Sequence, residues 1–446
     1  MKDQISNYET KAPVWENANL RTTRRGHFWI PGERVKKDDL TYQRGPMYVF
    51  WEVPEKITQK YPVVLIHGGT LQGTEWLDTP DGRPGWAQRL LENGFPIFII
   101  DRPGHGRSPY HQGIIGPMGP AFSYERGKAV YFPAEDADRQ TQWPFDPADD
   151  AAFDAFIAPY GPMPADLAQS QDMDADRLSR LLDRIGPAIL LTHSASGPVG
   201  WLVADRRPGL VKAIVSVEPM GPVFGHTPGI GTLSWGITAA PVTYEPSLSS
   251  PEDVKAASPG SLQIPALKDV PVMLVTGETS VFATYGPEIV RFLVTAGALA
   301  EELHLPALGI RGNGHGLIYE KNSDEALKPV LDWLRGKFPQ KEQDSSQSSG
   351  TCTVLVIYKG LSTDRFDREY YGNTHIPMLD EAWAKYGLEK TEVLYPSDDQ
   401  SEIIAMAVCT FRDRAAADIS FGSQESKTVM ADIINYTDLT PSRIIL

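Results

Sequence analysis

Five short runs are apolar at nearly every position: "YPVVLIHGG" (61–69), "FPIFIID" (95–101), "PAILLTHS" (187–194), "VKAIVSVEP" (211–219) and "VPVMLVTGE" (270–278). A strand with one wet face alternates polar and apolar residues. An unbroken run of this length fits a strand buried on both faces of a mostly parallel sheet. Helical patterns separate the runs, and this strand–helix alternation predicts an open α/β sheet. Chemistry in such a sheet belongs on loops at the carboxyl ends of the strands. Ahead of the first run, residues 26–54 ("GHFWIPGERV", then "PMYVFWEVP") alternate and predict two antiparallel strands.

The spacing between runs is uneven. Residues 110–175 form a long insertion rich in Pro, Asp and aromatics, read as an ordered cap. A second insertion, about 219–268, carries Phe224, Trp235 and Tyr244. The stretch 339–350 is rich in Ser, Gln and charge and reads as a linker. Beyond it, 351–446 reads strand, helix (about 363–385), two strands (388–395 and 402–411), a helical stretch and a short last strand. The expected organisation is a larger α/β domain over 1–338 and a smaller α+β domain over 351–446. In "TCTVLVIYKG" alternation puts Cys352, Val354, Val356 and Tyr358 on one side and Thr353, Leu355 and Ile357 on the other. Both faces are mostly apolar, so one can cover helices and the other can meet a partner.

Composition narrows the function classes. A net charge of -15 argues against nucleic acid or an anionic membrane surface as partner. The first twenty residues contain no apolar signal-like core, and no apolar run approaches the length of a membrane span. Two cysteines, Cys352 and Cys409, build neither a disulfide framework nor a zinc site. A cytoplasmic location is the expectation that follows.

Candidate chemistry starts at the third run, which ends in "THSASG". A strand feeding a tight turn of the form small-x-Ser-x-small, then a helix, is a nucleophile elbow. Here the turn is Thr192-His193-Ser194-Ala195-Ser196. Ser194 takes the central, strained position, and Thr192 and Ser196 stand where glycine is usual. Gly197 and Gly200 would let the following helix pack closely. His193 cannot readily serve as base, because adjacent side chains on such a turn diverge. "VVLIHGGT" ends the first run in glycines whose amides can face a developing oxyanion; the hole is assigned to the N–H groups of Gly69 and Ala195. "DRPGHGRS" (101–108) lacks dinucleotide spacing and reads as a turn. The base is expected after the last run, and His315 stands there in the loop "RGNGHG". The acid is assigned to Glu218, at the end of "VSVEP", with Glu278 as the alternative one strand later.

These motifs carry a resemblance. "IHGGT", "DRPGHGRS", "THSASG" and "GNGHG" resemble the α/β-hydrolase family over about 335 residues. The stretch from "IHGGTLQGTEW" to "DRPGHGRSPY" resembles a smaller group of microbial esterases that includes herbicide de-esterifying enzymes. The resemblance implies a glutamate acid after the sixth strand, again Glu218. The tail from about 351 resembles the EthD family of dimeric ferredoxin-like α+β barrels through "RFDREYYGNTHIPML" (365–379). It implies sheet-to-sheet pairing, with His375 either an active residue or a structural one.

The expected function is a serine hydrolase of carboxylic esters, with Ser194, His315 and Glu218 as triad and no metal or organic cofactor. Trp143, Phe145, Phe224 and Trp235 are the candidate pocket walls for a small apolar or aromatic ester. A homodimer through the C-terminal domain is the expected assembly. Lactone, carbamate or carbon–carbon hydrolysis by the same triad is the alternative. A non-catalytic ligand-binding protein that uses the EthD-like module is the alternative of another class.

Overall fold

The computed structural model describes residues 21–258, 260–339, 351–396 and 402–445. The chain divides into two compact units, Met1–Phe338 and Pro339–Leu446. Most of the expected linker, residues 340–350, lies outside the described residues.

The larger unit is built on an eight-stranded sheet. In chain order its strands are β1 (Thr23–Ile30), β2 (Met47–Pro54), β3 (Val63–Ile66), β4 (Ile97–Asp101), β5 (Ala188–His193), β6 (Val211–Val217), β7 (Pro271–Thr276) and β8 (Leu299–His304). Their order in space is β1-β2-β4-β3-β5-β6-β7-β8. β1 pairs with β2, and β2 with β4, antiparallel; all other neighbours are parallel. Every residue of β3 and β5 is buried, as their unbroken apolar runs require. β8, "LAEELH", was not anticipated. It is an edge strand that alternates between exposed and half-buried residues, and its charges hide it among helical patterns.

Helices cover both sheet faces. One core layer joins Val64, Ile66, Leu190 and Ile214 to α1 (Leu167–Ile185) and α2 (Gly197–Arg206). The other joins Leu65, Ile99, Leu191 and Val215 to α3 (Ser323–Lys337) and to the insertion before α1. Asp166 starts α1 by accepting the Gln169 amide at 3.0 Å. Residues 167–175 therefore belong to the scaffold, and the cap is shorter than its expected span. It holds the helices Tyr124–Tyr131 and Asp150–Ile157. Their side chains pack with Phe132, Trp143 and Tyr160 as one aromatic cluster.

The smaller unit is a four-stranded antiparallel sheet. Its strands are β9 (Cys352–Lys359), β10 (Leu388–Leu394), β11 (Ile403–Phe411) and β12 (Ser442–Ile445), in the order β10-β11-β9-β12. Cys352, Val354, Tyr358, Ala407 and Phe411 pack against helix residues Leu379, Trp383 and Val429.

Candidate active site

Ser194 follows the last residue of β5 and has φ 55°. A non-glycine residue pays about 1–2 kcal/mol for the left-handed region. Thr70 (φ 64°) and Glu218 (φ 47°) share that conformation, so three of the seven such residues described belong to this one site. The turn explains its departures from glycine. The Ser196 hydroxyl accepts the His193 amide at 2.9 Å and lies 2.9 Å from the carbonyls of Ile66 and His193. Ser196 thus ties the turn to β3 and is committed to structure. Thr192 bonds Ser216 of β6 through its hydroxyl at 2.8 Å. Gly197 is required by space, since a Cβ there would stand 2.7 Å from Pro219 Cβ.

His315 reaches this turn from the loop ahead of α3. Its Nε2 lies 3.0 Å from Ser194 Oγ. Its Nδ1 lies 3.5 Å from Oε2 of Glu218, which directly follows β6. That spacing is slightly longer than a relaxed hydrogen bond. Neither atom has a hydrogen-bond partner among the described residues, so each is available to the other. Oε1 of Glu218 accepts the Gly277 amide at 2.5 Å. Burial pushes the Glu218 carboxyl up to about 7, although the Ser280 hydroxyl and the Gly277 amide favour its charge. Burial, and then the neighbouring His193, hold His315 well below the usual histidine range. The Phe282 ring stacks on His315 at 3.9 Å, and Tyr131 stands 5.4 Å away. Glu320 braces the loop by accepting Gly314 N at 2.9 Å and Asn313 Nδ2 at 2.6 Å.

The glycine turn after β3 lies against the elbow. A Cβ on Gly69 would be 3.1 Å from Ala195 Cβ, which places the two expected oxyanion donors side by side. The Thr70 carbonyl accepts the Gly161 amide at 2.7 Å, joining this turn to the end of the cap. "DRPGHGRS" is a turn organised by Asp101, whose carboxylate accepts the amides of Gly73 (2.7 Å) and Arg107 (2.8 Å). Arg102 is fully buried and paired with Asp174 at 2.6 Å.

Other expectations are redistributed. Glu278 does not face His315; it accepts Arg311 Nη1 (3.1 Å) and Gly312 N (2.9 Å) in the loop ahead of it. None of the four expected pocket aromatics stands against Ser194 in a hydrogen-bonded or ring contact; each packs elsewhere or lines a separate cavity. Trp143 is buried in the cap cluster and presses on the base loop, where a Cβ on Gly316 would meet its ring at 2.5 Å. Phe145 lines a cavity of about 450 Å³ whose walls include neither Ser194 nor His315. Phe224 lines a separate pocket of about 390 Å³ and packs edge-on to Phe292. Trp235 packs on the first core layer, its carbonyl taken by the Tyr244 hydroxyl at 2.6 Å.

The apolar wall beside the elbow comes from elsewhere. Met163, Leu167, Met220 and Leu233 cluster with Ala195, and the Met220 amide bonds the Ser194 carbonyl at 3.0 Å. Met220 follows Glu218, the expected acid, by two residues, a position sequence reading could have used. Met163 carries no such signal. In the smaller unit, Asp432 fixes His375 by accepting from Nδ1 at 2.8 Å, and the ring packs 4.6 Å from Tyr436. Among the described residues, no group of three or more His, Cys, Asp or Glu side chains is placed to hold a metal ion.

The sequence pattern of the α/β-hydrolase fold family matches residues 61–235. A protein of a fungal species (strain ATCC 74256), named "Probable secreted lipase phiG", is 37% identical over 319 residues, which is 66% of this chain and 87% of that protein. The chain belongs to the α/β-hydrolase family. The solved structure of a novel bacterial esterase superposes with a TM-score of 0.55 at 26% identity, covering 74% of this hydrolase and 99% of the esterase. An EthD-like protein from Ralstonia eutropha JMP134 covers 22% of the chain and 91% of its own length, at 24% identity and a TM-score of 0.20. The cytoplasmic expectation is corrected, because the fungal relative is named as secreted. The two cysteines could not show this. Both are free and buried, serving as small core residues with no record of redox surroundings. Among the described residues, no helix is long and apolar enough to cross a membrane.

Proposed function

We propose that this hydrolase cleaves carboxylic esters through an acyl-enzyme on Ser194. The observation that carries the reading is a strained serine whose Oγ lies 3.0 Å from a buried imidazole, with a buried carboxylate on the other ring nitrogen. Facing Glu218, Nδ1 carries the proton, so Nε2 is free to accept from Ser194. As Oγ attacks the ester carbonyl carbon, its proton passes to Nε2. Glu218 stabilises the imidazolium. The amides of Gly69 and Ala195 receive the oxyanion. His315 returns the proton to the leaving alkoxide, then takes one from the water that releases the acid. The methionine-rich wall on one side and Phe282 with Tyr131 on the other suit a small apolar or aromatic ester. A screen of p-nitrophenyl esters, lactones and carbamates tests the reading. Turnover of esters with a burst of p-nitrophenol supports it, and turnover of lactones or carbamates alone would overturn it.

We also propose that the smaller unit pairs two chains. The sheet face turned away from its helices carries Leu355, Met406 and Val408, flanked by Leu394 and Ile444, which are 54% and 48% exposed. An apolar sheet face of this kind is most simply covered by a two-fold copy of itself. The double variant Leu355→Glu/Val408→Glu should convert a dimer to a monomer in light scattering, with ester kcat within a few-fold of the parent. A parent protein that is monomeric from the start would refute the pairing.

A further inference from the structure

His193 sits beside the nucleophile in sequence, yet its ring is turned away from Ser194 Oγ. Nδ1 lies 3.3 Å from Glu75 Oε2, and Nε2 lies 3.2 Å from the backbone carbonyl of His315. A carbonyl can only accept. The Glu75 carboxyl already receives two donors, the Gly68 amide on Oε1 at 3.1 Å and the Tyr319 hydroxyl on Oε2 at 3.2 Å. Both partners of the ring are therefore acceptors. A neutral imidazole has one N–H and could satisfy one of them; an imidazolium satisfies both. All of these groups are buried, so an unsatisfied nitrogen would be costly.

We infer that Glu75 and His193 form a buried carboxylate–imidazolium pair that acts as a positioning device for the proposed triad. Through Gly68 it fixes the glycine turn that bears the Gly69 amide. Through the His315 carbonyl it fixes the loop that bears the base. Its positive charge lies beside the base, because the His193 and His315 rings are nearly stacked with centroids 5.0 Å apart. The ionisable groups facing His193 are Glu75 from the turn after β3, Tyr319 and His315 from the last loop, Glu218 from the end of β6 and His67 from the end of β3. Burial acts most strongly against a charge on His193, but Glu75, the His315 carbonyl and Glu218 together outweigh it, and the group is held above the usual histidine value. The same charge disfavours proton uptake by both members of the Glu218–His315 pair. The device thus keeps the base neutral and the acid ionised at lower pH than burial alone would allow.

This inference rests on the proposed roles of Ser194 and His315, and its test is chosen to separate the two. Glu75→Gln is close to isosteric. The amide oxygen can still accept from Gly68, and the amide N–H can donate to a neutral His193, so the contacts survive while the charge is lost. The acid limb of kcat/KM for p-nitrophenyl acetate should then move to higher pH, because the imidazolium stacked beside the base is lost together with its carboxylate partner on the other side of the ring. A purely structural role would lower kcat equally at all pH values and leave the limb in place, and that result would overturn the inference. Nitrogen NMR of the histidine-labelled full-length protein reads His193 without turnover, with His193→Asn used for assignment. Two protonated ring nitrogens at pH 7 support the pair, and one unprotonated nitrogen would overturn it even if Glu75→Gln fails to fold. Absence of esterase activity beside a doubly protonated His193 would instead refute the proposed function.

Discussion

Ser194→Ala should lower kcat for p-nitrophenyl acetate by about 10⁴-fold or more, because removing a triad nucleophile leaves only the oxyanion donors and binding. Ser196→Ala is the informative contrast. The Ser196 hydroxyl spends its bonds on the His193 amide and the carbonyls of Ile66 and His193. Its loss leaves buried backbone groups short of a partner, at a cost of about 1–3 kcal/mol in stability. The chemistry should survive, with kcat within about ten-fold. Thermal denaturation and steady-state kinetics on the two variants read both effects. Turnover of Ser194→Ala near the parent rate would remove Ser194 from the mechanism. A Ser196→Ala protein that is fully stable yet inactive would move the nucleophile two residues along the chain.

The parts of the site that depend on close approach were legible in the sequence. Small residues around Ser194 are forced by the meeting of α2 and Pro219, where Gly197 leaves no room for a Cβ. The central strands were legible because burial on both faces leaves β3 without a polar residue and β5 without one before Thr192. His315 could be placed by chain order, and Glu218 because a carboxylate directly after a buried strand has few structural uses. Glu75, Met163 and Phe282 were not legible. Each acts through the tertiary approach of a distant segment, and nothing near Glu75 in "LQGTEW" distinguishes it from a surface glutamate. The aromatic residues of the insertions misled for a related reason. Large rings signal burial, but Trp143 is buried against the loop that carries His315, and the small cavity it lines includes neither Ser194 nor His315. β8 was missed because an edge strand keeps its charges.

The second large effect concerns the acid. Glu218→Gln should lower kcat by about 10³- to 10⁴-fold, since a neutral amide neither stabilises the imidazolium nor enforces the Nδ1–H tautomer. Glu278→Gln should change kcat by no more than a few-fold, because Glu278 holds Arg311 and Gly312 and does not face the ring. The pH dependence supplies an independent check. The folded-state value of Glu218 is raised, to about 7. Its charged form is therefore present above that pH and is lost as the pH falls through it. Activity should decline over the same window, while His315, held low by burial, adds no protonation step near the ordinary histidine value. Stability should move the opposite way. A raised carboxyl contributes stability that is complete below the unfolded value and is lost as pH rises through about 7. The parent should therefore gain activity and lose some thermal stability between about pH 5 and 8, and Glu218→Gln should flatten both slopes. A Glu218→Gln enzyme that keeps the parent rate, beside a Glu278→Gln enzyme that loses it, would place the acid one strand later.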